Sequence, residues 1–295
     1  MNKVNIYGGL GNQMFQYAFV NMLISKGIPA RISMRDFFLY NHHNGFELTH
    51  AFDINLSFSD RIKLKLLVSG SSLWSYSVVK KVLAILFSSY SRLFENSFKE
   101  KKEFCYDADV LKASNSRFIG TWQSVKYLPK EEYLLKDVFK FRVPTDTRNV
   151  KLSSEIRENN SVAVHIRRGD YTSQEWRNTH LVIDGSAYYQ TAIEELSSKF
   201  KDLTFYFFSD DMPWVMANFK APNFKYIDHN SGLSSYIDMY LMSLCSKFII
   251  PNSTFSWWAA WLSGNTEKVV YMPSPWIKGL TGTEIYPANC IVKNV

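Results

Sequence analysis

The sequence predicts an α/β protein built on parallel sheets, because of two features that run along most of the chain. Short apolar runs of strand length alternate with segments of helical periodicity through the 295 residues. Strands separated by helices return in the same direction and therefore pair in parallel. A polar stretch at 143–149, with several turn-forming residues, separates two such blocks and predicts domains at 1–150 and 151–295.

The first block opens with a strand, a glycine loop and a helix. We predict the strand at 4–7, the loop at 8–13 and the helix from Met14 onward. Glycines let the backbone approach a ligand closely. Their spacing matches neither the phosphate loop of ATPases nor the dinucleotide-binding fingerprint, so neither of those functions is indicated.

The second block begins with a unit of the same kind near residue 161. A strand is predicted at 162–166, and a helix at 187–193 follows it. Further strands are predicted at 204–208, 225–227, 247–250 and 268–272. Helical patterns between most of them extend the parallel arrangement.

Composition places the chain among ordinary folded proteins with a basic surplus. Hydrophobic residues make up 46% and charged residues 21% of the sequence. The net charge of +7 favours phosphates, nucleic acid or an acidic membrane surface as partners. Three irregularly spaced cysteines, with no leader of the secretory kind, favour a reduced, cytoplasmic compartment. No apolar run reaches the roughly 18 residues that a membrane span needs.

The basic surplus is concentrated in residues 61–102. This segment carries nine lysines and arginines against two glutamates, interleaved with apolar residues. The favoured interpretation is an amphipathic helical insert with a solvated basic face. The alternative is peripheral attachment to the anionic inner face of a membrane.

The strongest chemical signal is the sequence HIRRGD at 165–170, where an apolar strand ends. Ligands of open α/β sheets bind at that edge. The forked guanidinium groups of Arg167 and Arg168 match phosphate oxygens, so they can neutralise a diphosphate without a metal. Asp170 can orient an arginine, accept a sugar hydroxyl or act as a base. The alternative is a surface arginine pair with Asp170 as a local ion-pair partner.

A second signal is the sequence PNSTFS at 251–256, where a strand turns directly into a helix. Asn252 or Ser253 is suited to cap that helix. Free backbone amides at a helix start bind phosphate, and the hydroxyls of Ser253, Thr254 and Ser256 add donors. Plain capping, with the following tryptophans in the core, explains the same residues, and we expect both roles.

Other acidic residues have competing interpretations. Ser209 and Asp210 follow a predicted strand at the edge where ligands bind. Asp238, on a predicted helix, can accept hydrogen bonds from a guanine base or be a surface acid. Asp107 and Asp109 resemble a metal-holding pair, but a structural role is favoured because no apolar strand precedes them. The histidines have no zinc spacing.

Three motifs together resemble the alpha-1,2-fucosyltransferases of glycosyltransferase family 11, of the bacterial type. They are GGLGNQMFQY at 8–17, HIRRGDY at 165–171 and NSTFSWW at 252–258. The resemblance includes the amino-terminal loop and most of 161–276, whereas about 55–155 has no match and is where acceptor choice is expected. It implies a GT-B architecture of two facing Rossmann-like domains, with GDP-fucose bound mainly by the second and neither metal nor other cofactor required.

The resemblance also implies roles for individual residues. Arg167 would contact the donor diphosphate, and it is taken with Asp170 as the catalytic pair. His165 and Asp238 would lie near guanine. The other implied substrate-binding residues are Gly11, Asn12 and Gln13 from the first domain, and Arg168, Ser209, Asp210, Asn252, Ser253, Thr254 and Ser256 from the second.

The implied reaction is inverting transfer of L-fucose from GDP-β-L-fucose to the 2-hydroxyl of a terminal β-galactoside on an oligosaccharide or lipid-linked glycan. The expected partners are that donor and that acceptor, with no nucleic acid. The alternatives are a fucosyltransferase of another linkage, another GDP-sugar enzyme, or a non-enzymatic RNA- or membrane-binding module.

Overall fold

Two parallel sheets organise the protein. The computed structural model describes residues 1–39, 44–69, 96–129, 132–169, 183 and 186–295. The chain divides into the units Met1–Lys140 and Phe141–Val295, each with one sheet. All strand pairs in both sheets are parallel, which confirms the predicted α/β class. The polar stretch 143–149 lies at the beginning of the second unit.

The first unit has a four-stranded sheet in the order β2-β1-β4-β3. Its strands are β1 (Asn2–Asn5), β2 (Ala30–Ser33), β3 (Asn96–Lys99) and β4 (Ser116–Ile119). Its helices are α1 (Leu10–Ser25), α2 (Arg35–Leu39), α3 (Leu48–Ala51), α4 (Phe58–Ser69) and α5 (Glu132–Val138), with short 3-10 helices at Ala108–Leu111 and Val125–Tyr127.

Aromatic side chains fill the core of the first unit. Phe19 of α1 stacks on Trp122, with ring centroids 4.3 Å apart, and meets Phe118 of β4 edge to face. Such pairs add to the free energy of apolar burial. This packing holds α1 against the sheet and fixes the loops at the strand ends.

The start of α1 corrects the expectation for the glycine loop. The strand ends at Asn5 instead of residue 7, and the helix begins at Leu10 instead of Met14. The amides of Asn12 and Gln13 already bond to the Gly9 carbonyl. Gly11, Asn12 and Gln13 therefore belong to the first turn of α1. Their low helix propensity does not prevent this, because packing of α1 against the core stabilises the whole helix.

The second unit has a six-stranded sheet in the order β10-β9-β8-β5-β6-β7. The strands are β5 (Asn160–Ile166), β6 (Leu203–Ser209), β7 (Phe224–Ile227), β8 (Lys247–Ile249), β9 (Val269–Ser274) and β10 (Cys290–Asn294). The central strands β5 and β6 are buried almost throughout. Burial on both faces explains their continuous apolar sequences.

The described residues of the second unit form five helices. They are α6 (Thr147–Glu158), α7 (Ser186–Lys199), α8 (Met212–Asn218), α9 (Tyr236–Ser243) and α10 (Thr254–Leu262), with a 3-10 helix at Gly232–Ser234. Trp257, Trp258 and Trp261 of α10 are buried, which confirms their expected core role. The indole of Trp257 donates to the Ile285 carbonyl, 2.8 Å away, so its polar atom is satisfied.

The basic segment is described at its two ends only. Helix α4 confirms helical structure at its start, while residues 70–95 lie outside the described residues. At the start of α4, the Ser57 hydroxyl accepts from the Asp60 amide at 3.2 Å and donates to the Asp60 carboxylate at 2.6 Å. In the described part of the chain, no helix is both long enough and apolar enough to cross a membrane.

Candidate active site

The HIRRGD motif lies at the carboxyl edge of the second sheet. Strand β5 ends at Ile166, which is in register with Ser209 at the end of β6. Arg167 and Asp210 are the next residues after these two strand ends. Parallel pairing therefore brings together two sequence-predicted residues that are 43 positions apart.

Asp210 holds the arginine turn in place through both of its carboxylate oxygens. Its Oδ2 is 3.0 Å from Arg167 Nη1. Its Oδ1 accepts from the Arg168 amide at 2.8 Å, and its Oδ2 accepts from the Gly169 amide at 3.1 Å. A Cβ at Gly169 would lie 2.6 Å from Oδ2, so a larger residue would displace the Asp210 carboxylate. Asp210 thus orients Arg167, whose side chain remains 29% exposed.

The neighbouring Arg168 has different partners. Its Nε donates to Asp211 Oδ2 at 3.1 Å, and its guanidinium lies 3.9 Å from the centre of the Trp214 ring. Asp211 also caps α8, since its Oδ1 accepts from the Trp214 amide. Asp211 is therefore an acid at the amino-terminal end of a helix. Arg168 therefore joins the turn to α8, while Arg167 remains the more exposed of the two guanidinium groups.

His165 connects the end of β5 to the beginning of α10. Its Nδ1 is 2.8 Å from the Ser256 hydroxyl, and that hydroxyl also donates to the Ser253 carbonyl at 3.4 Å. Burial lowers the pKa of His165 to about 4; the positive charge of Arg167 acts in the same direction and Asp210 opposes it. His165 is consequently neutral at pH 7 and adds no positive charge beside Arg167.

The beginning of α10 is formed by the predicted NSTFS sequence. Ser253 is the N-cap residue, yet its side chain makes no capping hydrogen bond. Asn252 is buried and donates to the Trp276 carbonyl at 3.1 Å, which fixes the loop before the helix. The helix start therefore combines the positive end of a helix dipole with the Ser253 and Thr254 hydroxyls, a chemistry suited to an anion.

Asp238 lies in the first turn of α9, which packs against α10. Its Oδ1 accepts from Asn230 Nδ2 at 2.7 Å. Burial raises the pKa of Asp238 to about 7, and the hydrogen bond from Asn230 opposes this effect. Asp238 is half-buried, whereas the surface-acid alternative expected an exposed side chain. A carboxyl group of this kind is typical of functional sites.

In the first unit, Gln13 fixes the loop before α1. Its side-chain amide donates to the carbonyls of Gly8 and Gly45, both at 2.8 Å, and its carbonyl accepts from the Glu47 amide at 2.9 Å. Gln13 is fully buried. Its polar atoms therefore serve to position the loop. Asn12 accepts from Gln123 Nε2 at 2.9 Å and joins α1 to the loop after β4.

The amino-terminal end of α1 is covered by a carboxyl group of the same unit. Gly9 is the N-cap residue and has no side chain to cap with. The buried Glu47 accepts from the Leu10 amide, and burial raises the pKa of that carboxyl. Glu47 therefore takes the place that an anion would occupy at this helix start.

Asp107 and Asp109 have the structural role that the sequence favoured. The carboxylate of Asp107 caps the 3-10 helix by accepting from the Asp109 amide at 2.9 Å. Lys101 lies 3.1 Å from Asp107 and 2.8 Å from Asp109. Hydrogen bonds from Lys101 and Lys112 lower the pKa of Asp109 to about 2. Within the described residues, no group of three or more His, Cys, Asp or Glu side chains could hold a metal ion.

Asp170 lies outside the described residues, so its expected role stays a prediction. The sequence analysis missed Trp214 and Tyr189. Trp214 stacks on Arg168. The sequence did contain a signal for its position, because Asp211 is a typical N-cap residue and Trp214 follows it by three residues. Tyr189 has a buried hydroxyl without a hydrogen-bond partner in the described part of the chain, near Asp210 and Arg168. No pattern in the sequence distinguishes it from other apolar positions of its helix.

Comparison with known proteins establishes the class. The model of glycosyl transferase family 11 matches residues 1–276. The chain therefore belongs to glycosyl transferase family 11 and is a glycosyltransferase. This confirms the family predicted from the three motifs. The alternative of a non-enzymatic RNA- or membrane-binding module is therefore wrong as the main function.

Individual relatives refine this picture. An alpha-1,2-colitosyltransferase of Escherichia coli is 32% identical, over 92% of this chain and 90% of its own. A galactoside alpha-(1,2)-fucosyltransferase 1 of Lagothrix lagotricha is 29% identical, over 50% of this chain and 42% of its own. A crystal structure of NodZ alpha-1,6-fucosyltransferase soaked with GDP-fucose has 17% identity and a TM-score of 0.45, covering 88% of this chain and 92% of that one.

Proposed function

We propose that the protein transfers L-fucose from GDP-β-L-fucose to the 2-hydroxyl of a terminal β-galactoside, with inversion at the anomeric carbon. Two relatives carry the same α-1,2 linkage in their names, one with a galactoside acceptor. The observation on which the proposal most depends is Arg167, oriented by Asp210 at the carboxyl edge of the second sheet. That edge is the usual position of a nucleotide in such sheets.

The proposed transfer is a single displacement. The acceptor oxygen forms a bond to the anomeric carbon as the bond from that carbon to the diphosphate oxygen breaks. The bonding electrons leave with GDP, so negative charge increases on the diphosphate during the reaction. Donors oriented in advance toward that charge stabilise the transition state, often by the largest single contribution.

In this proposal the residues of the second unit have separate tasks. Arg167 contacts the diphosphate, and Asp210 and Gly169 hold it in position. The amides and hydroxyls at Ser253 and Thr254 bind phosphate oxygens. The remaining residues keep their predicted roles. Asp170 is the second member of the catalytic pair, and His165 and Asp238 lie at the guanine side. The other predicted substrate-binding residues are Arg168, Ser209, Asn252 and Ser256 of the second unit and Gly11, Asn12 and Gln13 of the first.

A second donor is favoured by the colitosyltransferase relative. Colitose is L-fucose without its 3-hydroxyl, so a pocket that binds one sugar needs little change to bind the other. A site that hydrogen-bonds a sugar hydroxyl discriminates strongly against the sugar lacking it. The ratio of kcat/KM for GDP-fucose and the corresponding colitose donor therefore decides between the two.

The test is incubation of the protein with each donor and a panel of β-galactosides, followed by mapping of the product linkage. We expect an α-1,2-linked product and GDP release in equal amounts. Product with another linkage would contradict the acceptor assignment. Absence of transfer with every donor and acceptor, while GDP still binds, would contradict the proposed reaction itself.

Helix α4 supports an accessory function in attachment to an anionic membrane surface. Phe58 is 80% exposed and Ile62 is 45% exposed. Arg61 and Lys65 are exposed at spacings that place them on the same side of the helix. Apolar and basic side chains on one face are typical of helices that lie in a membrane interface.

Vesicle sedimentation tests this attachment. We expect binding to vesicles that contain phosphatidylglycerol, weaker binding in high salt, and little binding to neutral phosphatidylcholine vesicles. Replacing Phe58 and Ile62 together by serine should weaken binding about tenfold or more, since burying such side chains contributes a few kcal/mol. Equal binding by the variant, or equal binding to neutral vesicles, would contradict the attachment.

A further inference from the structure

The loop after β7 meets the beginnings of two helices at the carboxyl edge of the second sheet. Strand β7 ends at Ile227, which is in register with Phe208 of β6, so the loop 228–230 extends beyond that edge. Helix α6 leads into β5 and α9 leads into β8, so both helices begin on the side of the sheet where the strands end. The two helices also contact each other. Ligands of open α/β sheets bind at this edge.

A carboxylate fixes the side chain of Asn149 at the beginning of α6. Asp146 is the N-cap residue, and its Oδ1 accepts from the Asn149 backbone amide at 2.9 Å. Its Oδ2 accepts from Asn149 Nδ2 at 3.0 Å. These hydrogen bonds lower the pKa of Asp146, so at pH 7 its carboxylate can only accept. The amide nitrogen of Asn149 must therefore face Asp146.

The buried side chain of Asn149 in turn fixes the orientation of Asn230 in the loop. Asn149 Nδ2 donates to Asn230 Oδ1 at 2.9 Å, and Asn149 Oδ1 accepts from Asn230 Nδ2 at 3.2 Å. His229 Nε2 lies 2.9 Å from Asn149 Oδ1 and donates to it, because a carbonyl oxygen can only accept. Burial and the charge of Arg148 lower the pKa of His229, so its ring is neutral at pH 7.

Asn230 consequently presents its amide nitrogen to Asp238. Its Nδ2 donates to Asp238 Oδ1 at 2.7 Å. No described residue donates a hydrogen bond to Asp238 Oδ2, and the side chain is only half-buried. One oxygen of this carboxylate is therefore fixed by the protein, while the other is left for an external donor.

Asp238 differs in its titration from the groups around it. Burial raises its pKa to about 7, and the hydrogen bond from Asn230 lowers it. The pKa of Tyr236 on the same helix is raised from 10.0 by burial. Helix α10, which packs against α9, has no charged side chain. The other charged or titratable groups on the surrounding elements are Asp146, Arg148 and Arg157 of α6, Asp228 and His229 of the loop, and Tyr240 of α9.

We propose that Asn149 and Asn230 are positioning residues for base recognition, which hold the Asp238 carboxylate toward the N1–H and 2-amino donors of guanine. This rests on the proposed function, in which Asp238 lies at the guanine side. The two asparagines thereby set the preference of the site for guanine over adenine nucleotides. Adenine has neither donor at these positions, and its N1 lone pair is repelled by a carboxylate.

The orientation and the charge of Asp238 act together in this proposal. Only the ionised carboxylate accepts both guanine donors, so binding of a guanine nucleotide should strengthen as the pH rises through the pKa of Asp238. A site that hydrogen-bonds specific donors discriminates strongly against a ligand that lacks them. Loss of the hydrogen bond from Asn230 should therefore weaken both the affinity and the discrimination.

The first test is calorimetric titration with GDP-fucose between pH 6 and 8.5, without an acceptor. The fucose on the terminal phosphate leaves the diphosphate with no group that titrates in this range. We expect the affinity of the unmodified protein to rise to a plateau, and this rise to be absent in Asp238→Asn. Asn230→Ala should weaken binding about tenfold at pH 7 and move the rise to higher pH, because it removes the hydrogen bond that lowers the pKa of Asp238.

Matched variants separate positioning from a general loss of structure. Asn149→Ala should shift the pH dependence in the same direction as Asn230→Ala, by a smaller amount, since Asn149 acts through Asn230. Asn223→Ala is the control, because Asn223 donates to the Leu203 carbonyl at 2.8 Å, before β7 and on the opposite side of the sheet. It should leave both the affinity and its pH dependence unchanged.

The ratio of GDP to ADP affinity, measured at pH 8.5, provides the second readout. Both nucleotides carry the same diphosphate, so a variant that merely perturbs the fold weakens both and leaves the ratio unchanged. We expect the ratio to fall about tenfold in Asn230→Ala and to stay constant in Asn223→Ala. If Asn230→Ala does not fold, Asn149→Ala provides the same two measurements.

Three results would overturn the inference. They are an unshifted pH dependence in both asparagine variants, an unchanged ratio of GDP to ADP affinity in both, or a rise in affinity that persists in Asp238→Asn. Each presupposes that the unmodified protein binds GDP-fucose. If it binds no guanine nucleotide, or transfers no sugar, the proposed function is contradicted instead, so the two failures are distinguishable.

Discussion

Each unit contains a helix that follows a parallel strand, but the amino-terminal ends of these two helices have different partners. In the first unit, α1 follows a parallel strand and a glycine turn, and the Glu47 carboxyl group covers its amino-terminal end. In the second, α10 follows β8, and its N-cap residue Ser253 makes no side-chain capping bond. Arg167 also lies at this edge of the second sheet, whereas Glu47 adds negative charge to the first.

This contrast shows that a strand followed by a helix is not by itself an anion site. A helix start binds phosphate when its dipole and amides are left to an external ligand. A carboxylate from the same chain satisfies them permanently and stabilises the helix instead. The sequence GGLGNQ, whose glycines allow a ligand to approach the backbone closely, therefore lies in the unit where the Glu47 carboxyl group already covers the helix start.

The largest expected effect comes from replacing Arg167, the cation at the carboxyl edge of the second sheet. Arg167→Ala should lower kcat on the order of hundreds-fold, as loss of one oriented donor to a developing oxyanion typically does. Arg167→Lys should recover part of this, because it keeps the charge and loses the fork.

Transfer assays with saturating GDP-fucose check this prediction. Arg168→Ala is the comparison for stability, since Arg168 contacts Asp211 and Trp214. It should reduce the thermal stability of the second unit more than Arg167→Ala does. A kcat for Arg167→Ala close to that of the unmodified protein would refute the diphosphate assignment.

The next effect concerns the neutral histidine beside that cation. Burial lowers the pKa of His165 from 6.5 to about 4, so the unfolded chain binds a proton in this range and the folded chain does not. Its contribution to stability is fully present above pH 6.5 and is lost as the pH falls toward 4. The total loss is about 3 kcal/mol, at 1.4 kcal/mol for each pKa unit.

Urea unfolding at pH 7 and pH 4.5 tests this in the unmodified protein and in His165→Gln. The variant lacks the titrating group, so its stability should change less between the two pH values. Equal changes in both proteins would show that His165 is not held neutral by burial. Carboxyl groups titrate in the same pH range. They are present in both proteins, so the difference between the two proteins reports the contribution of His165 alone.

The sequence predicted the sheets of the second unit well because their strands are buried on both faces. Continuous apolar runs such as 162–166 and 204–208 differ from the structure by only one or two residues at either end. Arg167 and Asp210 were also predicted, since each lies within two residues of the end of such a run. Their mutual contact depends on strand order, which no local pattern specifies.

The first unit was harder to predict for physical reasons. Its strands span only four residues each, and β3 (Asn96–Lys99) is largely exposed, so its polar sequence gave no strand signal. The function of Glu47 was equally hidden, because it depends on a contact with a helix that begins 37 residues earlier in the chain.

The smallest expected effect separates the two helix starts directly. Ser253→Ala should leave thermal stability unchanged, because its side chain makes no capping bond. It should weaken GDP binding about tenfold, the value of one hydrogen bond to a charged group.

Glu47→Gln should do the reverse, lowering stability by about 1 kcal/mol through loss of a charged cap and leaving GDP affinity unchanged. Calorimetric titration with GDP and thermal melting of both variants provide the comparison. Weaker GDP binding in Glu47→Gln would mean that the start of α1 also serves the nucleotide, and the contrast between the two units would no longer hold. A stability loss in Ser253→Ala would likewise assign the hydroxyl to the fold, because an anion-binding donor contributes only when the anion is bound.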